Sequence, residues 1–320
     1  MRDKIFIALK GLAMGMAEVV PGVSGGTIAF ISGIYPTLME SISSLKPSLI
    51  GLLFKGQFKE FSKQLNLAFL IPLGAGMVIG LVTGVLFISY LLEHFPLPLW
   101  AFFFGLILAS ALYVFKQIKA FSLTTVVLTI VATALAYYVT IANPLGGSTS
   151  LVLVFFSGVI AISAMVLPGL SGSFILLLLG MYSVVLPTVK SLLKSPELDA
   201  FILVSVFATG CLIGLISFAR LMSYAFKKQP NNTLAVLLGF MIGSLNKVWP
   251  WQEVTNTRIN SGGETVVFTS KSVLPNVFSQ LENNFLYGNN PQIATVIVCM
   301  VLGFALVFLL DKFGSKAETK

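Results

Sequence analysis

Charge is what this sequence has least of. Asp, Glu, Lys and Arg make up 10% of 320 residues and apolar residues 56%, whereas about a quarter of a soluble domain is charged. A water-soluble globule is thereby excluded, and the chain reads as an integral membrane protein. Short alternating strands are also missing, which excludes a barrel. The apolar runs are about 20 residues or longer and read as spanning helices. Histidine occurs once, at His94, and cysteine twice, at Cys211 and Cys299 inside apolar runs. No zinc spacing, Walker sequence or hydrolase elbow is present, so no metal, cofactor or enzymatic chemistry is expected. The net charge of +8 does not indicate nucleic acid, because the basic residues lie between apolar segments, where membrane topology accounts for them.

What is present, inside an apolar segment from Ile5 to Leu45, is a run of helix breakers and hydroxyls, Glu18-Val19-Val20-Pro21-Gly22-Val23-Ser24-Gly25-Gly26-Thr27. In lipid, irregular backbone survives only where protein buries it or a wet cavity receives it. Two half-helices meeting at a tip are therefore expected, with Pro21 and Gly22 ending the first and Ser24 capping the second. Free N–H groups and a positive helix end at such a tip suit an anion.

The run returns at an offset of 147, as Val166-Leu167-Pro168-Gly169-Leu170-Ser171-Gly172-Ser173, and nine of nineteen positions in 17–35 match 164–182. A second offset of 134 pairs Gly76 with Gly210, Gly80 with Gly214, Ser89-Tyr90 with Ser223-Tyr224, Pro96 with Pro230, Gly105 with Gly239 and Ser110 with Ser244. The chain is two copies of one unit, 1–145 and 146–320. The expected fold is all-α, each copy a re-entrant broken-helix hairpin followed by three spans. The first copy has a hairpin over about 5–45, a surface helix over 48–64, and spans at 66–92, 98–115 and 122–141. The second has a hairpin over about 150–194, spans at 200–226 and 233–249, a polar outer loop over 250–290, and a span at 292–310.

Positive charge chooses the topology. With re-entrant hairpins and cytoplasmic termini, the inner side receives fourteen basic residues, among them Lys46, Lys55, Lys59, Lys63, Lys116, Lys119, Lys227 and Lys228, against five outside. Hairpins that crossed would place the Lys46–Lys63 cluster outside and break the positive-inside tendency. The second copy then runs inverted relative to the first.

Inverted repeats with discontinuous helices meeting near the midplane are the usual build of secondary transporters. Ser24, Gly25, Gly26, Thr27, Ser171, Gly172 and Ser173 are accordingly the expected substrate site, with Pro21, Gly22, Pro168 and Gly169 breaking the helices. The bland reading is that these small residues only let helices approach closely. Polar residues without a counterpart in the other copy stand out. Glu18 pairs with Met165, and Arg220 with Leu86. Glu18 is assigned to proton coupling and Arg220 to substrate binding, with interfacial snorkelling as the alternative for Arg220. Lys247 is a weaker substrate candidate, and Trp249 and Trp251 read as an interfacial belt.

These motifs, namely Gly11-x3-Gly15-x2-Glu18-x2-Pro21-Gly22-Val23-Ser24-Gly25-Gly26-Thr27, Gly33-Ile34-Tyr35, Leu167-Pro168-Gly169-Leu170-Ser171-Gly172-Ser173-Phe174 and Gly180-Met181-Tyr182, resemble the bacterial polyprenyl-phosphate transporters over nearly the whole chain. The resemblance implies an inner-membrane protein that returns undecaprenyl phosphate from the outer to the inner leaflet, with that lipid and the bilayer as its partners. The residues alone fit a small-anion transporter or channel equally well.

Overall fold

The computed structural model describes residues 2–20, 23–195, 197–259, 265–281 and 288–315. Pro21 and Gly22, the expected stop of the first half-helix, lie outside the described residues. The chain opens with α1 (Arg2–Glu18), α2 (Gly25–Ile31) and α3 (Tyr35–Ser43), followed by α4 (Pro47–Phe54) and α5 (Phe58–Gln64). The long apolar runs form α6 (Leu67–His94), α7 (Pro96–Gln117) and α8 (Leu123–Ile141). The second half repeats the pattern with α9 (Leu151–Val166), α10 (Gly172–Leu178), α11 (Tyr182–Lys194), α12 (Leu198–Lys228) and α13 (Pro230–Ser244). The strands β1 (Gln252–Ile259) and β2 (Thr265–Ser272), then α14 (Pro275–Phe278) and α15 (Ile293–Ser315), complete it.

Three expectations need correction. Each hairpin has two breaks instead of one, the second at Gly33 (φ +75°) and Gly180 (φ +71°). These angles suit glycine because it has no Cβ to clash, and α10 bends by 110° into the segment Tyr182–Leu192. The surface segment 48–64 is two short helices parted at Gly56 (φ +71°). The fold is mostly helical, consistent with an all-α membrane protein, but the expected outer loop is not without secondary structure. The loop 250–290 carries an antiparallel β1–β2 hairpin with irregular register between Val254 and Thr257. Its signal was a run rich in β-branched residues on each side of Gly262-Gly263. Trp249 donates to the Val273 carbonyl (2.8 Å) and Trp251 to that of Pro291 (2.9 Å). Trp251 is buried with Leu97, Ala101, Phe278 and Val296, so it seats the loop on the first turns of α7 and α15 instead of joining a belt.

The helix contacts repeat with the sequence. α1 packs on α6 and α9 on α12. A Cβ on Gly76 or Gly80 would overlap the carbonyls of Ala8 and Leu12, and one on Gly210 or Gly214 would meet Phe155 and Val159. Phe155 and Val159 occupy in the second copy the places of Ala8 and Leu12. Small residues at these positions let the helix backbones touch, which is how helices associate where lipid removes the hydrophobic drive. The last helix of each copy then packs on the other copy. Gly105 of α7 faces Met300 of α15, and Gly239 of α13 faces Thr129 of α8.

Candidate functional site

The first tip is built by α2 folding back along α1. Oε1 of Glu18 accepts from the Gly25 amide at 2.7 Å, and Nζ of Lys10 donates to the Ser32 carbonyl at 2.7 Å. An acid thus meets the N-terminal end of α2 and a cation its C-terminal end, the arrangement that the helix dipole favours. Lys10, one of the fourteen basic residues expected on the inner side, clamps the hairpin. Ser24 is extended (φ −123°, ψ 136°) and its Oγ accepts from the Gly26 amide at 3.0 Å. The Thr27 amide donates to the Ser24 carbonyl at 3.0 Å. The amides of Gly25, Gly26 and Thr27 are all satisfied within the protein.

The two tips touch. Oγ of Ser24 donates to the Met165 carbonyl at 2.6 Å, and the Gly169 amide donates to Oγ1 of Thr27 at 3.0 Å. A Cβ on Gly26 would overlap the Val166 carbonyl. Ser24 and Thr27 are fully buried by these contacts. The expected substrate residues of the first copy are therefore brought together with the second tip, and they are the mortar between the tips.

The second tip is less self-contained. α9 stops before Pro168 and Gly169, the latter at φ +88° where an added Cβ would press on the backbone of Phe240 and Met241. Oγ of Ser171 lies 2.9 Å from Oγ of Ser173, and α10 has no side-chain cap. Met165 stands where Glu18 stands in the first copy, and no hydrogen bond from the Gly172 or Ser173 amide occurs among the described residues. Ser173 is exposed. The half-buried Lys247 holds its ammonium 4.6 Å from the centroid of the Phe174 ring, one residue beyond Ser173. Asn246 beside it is anchored to Oγ1 of Thr140 at 2.7 Å. The cation of this tip is thus Lys247.

Arg220 is elsewhere. Its exposed guanidinium donates to the carbonyls of Ser43 and Leu45 at the end of α3, which are otherwise orphan acceptors of a helix C-terminus. Lys227, two turns on, pairs with Glu40 at 2.8 Å. No group of His, Cys, Asp and Glu that would hold a metal occurs among the described residues.

Among the described residues, four helices of 19 to 31 residues are long and apolar enough to cross a bilayer, and with the broken helices that meet between them they define a multi-pass helical membrane protein. Residues 14–266 match the model of the undecaprenyl phosphate translocase-like family, and the chain belongs to that family. It is 42% identical over 308 residues to a polyprenyl-phosphate transporter of Vibrio cholerae, covering 96% of each chain. It is 34% identical over 256 residues to a polyprenyl-phosphate transporter of Staphylococcus aureus, covering 76% of this chain and 85% of that one. No solved structure matches the chain.

Proposed function

We propose that this protein is a transporter, not an enzyme, that returns undecaprenyl phosphate from the outer to the inner leaflet of the bacterial inner membrane. Its relatives carry the name polyprenyl-phosphate transporter, and its hairpin tips present hydroxyls close to a cation, Lys247, that follows α13. In this reading the copies 1–145 and 146–320 are inverted, both termini are cytoplasmic, and the hairpins enter from opposite faces. The observation that carries the site is the juxtaposition of Lys247, Phe174, Ser173 and Ser171 at the tip that lacks a built-in carboxylate. A phosphate there takes charge-assisted hydrogen bonds from an ammonium and hydroxyls, while its polyprenyl tail stays among lipid chains.

Moving an anion inward opposes a negative-inside potential by about 2.3 kcal/mol per charge per 100 mV. A proton carried with it offsets that work. Glu18 is the acid placed for the task, since its carboxylate lies at the tip contact and accepts a hydrogen bond from the Gly25 amide at the start of α2.

The test is transport by purified protein in proteoliposomes carrying a polyprenyl phosphate in one leaflet. Movement of the lipid that is lost in Ser173→Ala combined with Lys247→Ala supports the proposal. Flux of chloride or inorganic phosphate without movement of the lipid would replace it with a small-anion pathway.

A further inference from the structure

The two copies share a sequence plan but differ in one contact. On one face α3 bridges two long helices. Oγ of Ser41 accepts from Nδ2 of Asn66 at 3.1 Å, just before α6. Toward the end of α12, Glu40 pairs with Lys227 at 2.8 Å, Arg220 donates to the Ser43 and Leu45 carbonyls, and the fully buried Tyr35 sets its ring edge-on to Phe226 with centroids 5.8 Å apart. In the repeat, Tyr182 of α11 corresponds to Tyr35 and the last turns of α6 correspond to those of α12.

α11 reproduces only the first of these contacts. Met181, just before it, and its Val185 bury against Leu203 near the start of α12. Between α11 and the end of α6 no packing comparable to that of α3 on α12 occurs among the described residues. Tyr182 is correspondingly half-buried where Tyr35 is fully buried. One face is closed by its hairpin and the equivalent face is not.

The sequence supplies charges for the missing contact. Lys227 corresponds to Glu93 of α6, and Ser43 to Lys190 of α11, one helical turn beyond Pro187, the counterpart of Glu40. The acid and the base have exchanged helices, and both side chains are exposed. We infer that Glu93 and Lys190 form a second ion pair when α11 closes onto the end of α6, in exchange for the Lys227–Glu40 pair as α3 leaves α12. This rests on the transport reading with inverted repeats, in which the two copies alternate between the same two arrangements. Exposed ion pairs hold weakly, so neither face is locked.

The experiment uses the full chain with Cys211→Ala and Cys299→Ala, reconstituted in proteoliposomes, and a short bifunctional thiol reagent. Glu93→Cys with Lys190→Cys cross-links, and the yield rises several-fold when Lys227→Ala is added. Glu40→Cys with Lys227→Cys cross-links as well and serves as the control for folding. Absence of a Glu93/Lys190 cross-link in protein that passes this control, with and without Lys227→Ala, overturns the inference. In the native-charge series, Glu93→Lys slows lipid-phosphate transport severalfold and Glu93→Lys with Lys190→Glu restores it, while failure of rescue again overturns the pair. Transport without cross-link or rescue removes the ion pair alone. Cross-linking in protein that moves no polyprenyl phosphate removes the transport reading alone.

Discussion

Ser24 donates a 2.6 Å hydrogen bond to the backbone carbonyl of Met165, the residue that stands in the second copy where Glu18 stands in the first. One hydroxyl therefore caps α2 through the Gly26 amide and fastens the two tips together. It divides the labour between the copies. The first tip is closed on itself with Glu18, and the second leaves Ser173 exposed with Lys247 over the neighbouring Phe174 ring.

That division makes Ser24 and Thr27 structural. Ser24→Ala leaves the partly buried Met165 carbonyl without its donor, and Thr27→Val leaves the buried Gly169 amide without its acceptor. Each is expected to cost about 1–3 kcal/mol, the usual penalty for a buried unsatisfied group. Thermal unfolding of the purified protein in detergent measures it. Unchanged stability in both variants would show that the tips are not joined through these bonds.

Lys247→Ala is expected to weaken binding of a polyprenyl phosphate by roughly 10- to 100-fold, the equivalent of a charge-assisted hydrogen bond worth about 1.5–3 kcal/mol. Lys247→Arg keeps the charge above Phe174 and should retain most of the affinity. Arg220→Ala should leave that affinity within a factor of two and lower stability instead, since its guanidinium is engaged with the end of α3. Titration of each variant with the lipid in nanodiscs decides; a large loss of affinity in Arg220→Ala would return Arg220 to the substrate site.

Glu18→Gln preserves an oxygen that can accept from the Gly25 amide, so the hairpin is expected to fold and lipid binding to persist. Its transport should no longer respond to an imposed pH gradient, whereas wild-type transport should accelerate when the outer side is more acidic. Equal responses of the two proteins in proteoliposomes would remove the proton from the mechanism.

The inverted arrangement predicts the sidedness of three lysines. Single cysteines replacing Lys55 and Lys119 should react with an impermeant thiol reagent from the cytoplasmic face, and one replacing Lys271 on β2 only from the opposite face. Lys55 and Lys119 on different sides would refute the topology.

The broken helices, their duplication and the small-residue faces could be read from the sequence because they depend on local chemistry. Pro and Gly cannot continue a helix, and carbonyl-to-glycine contacts recur wherever the repeat does. The second break in each hairpin was legible too, in Gly33-Ile34-Tyr35 and Gly180-Met181-Tyr182, once each glycine is read as a turn. The loop strands were hidden by the dominance of helix elsewhere.

The roles of individual charges were a tertiary decision. Arg220, Lys247 and Lys10 are each a basic residue without a counterpart in the other copy, and nothing local separates them. Their assignments followed only when packing brought α3 beneath Arg220, the α10 aromatic ring beneath Lys247 and the end of α2 beside Lys10. The sequence by itself determined that the chain is built as a duplicated, broken-helix unit of a membrane protein, since the bilayer allows its backbone few other solutions. Which tip satisfies its own groups and which leaves a serine exposed was set by long-range contacts, because an ion's partner is fixed by distance in space and not by separation along the chain.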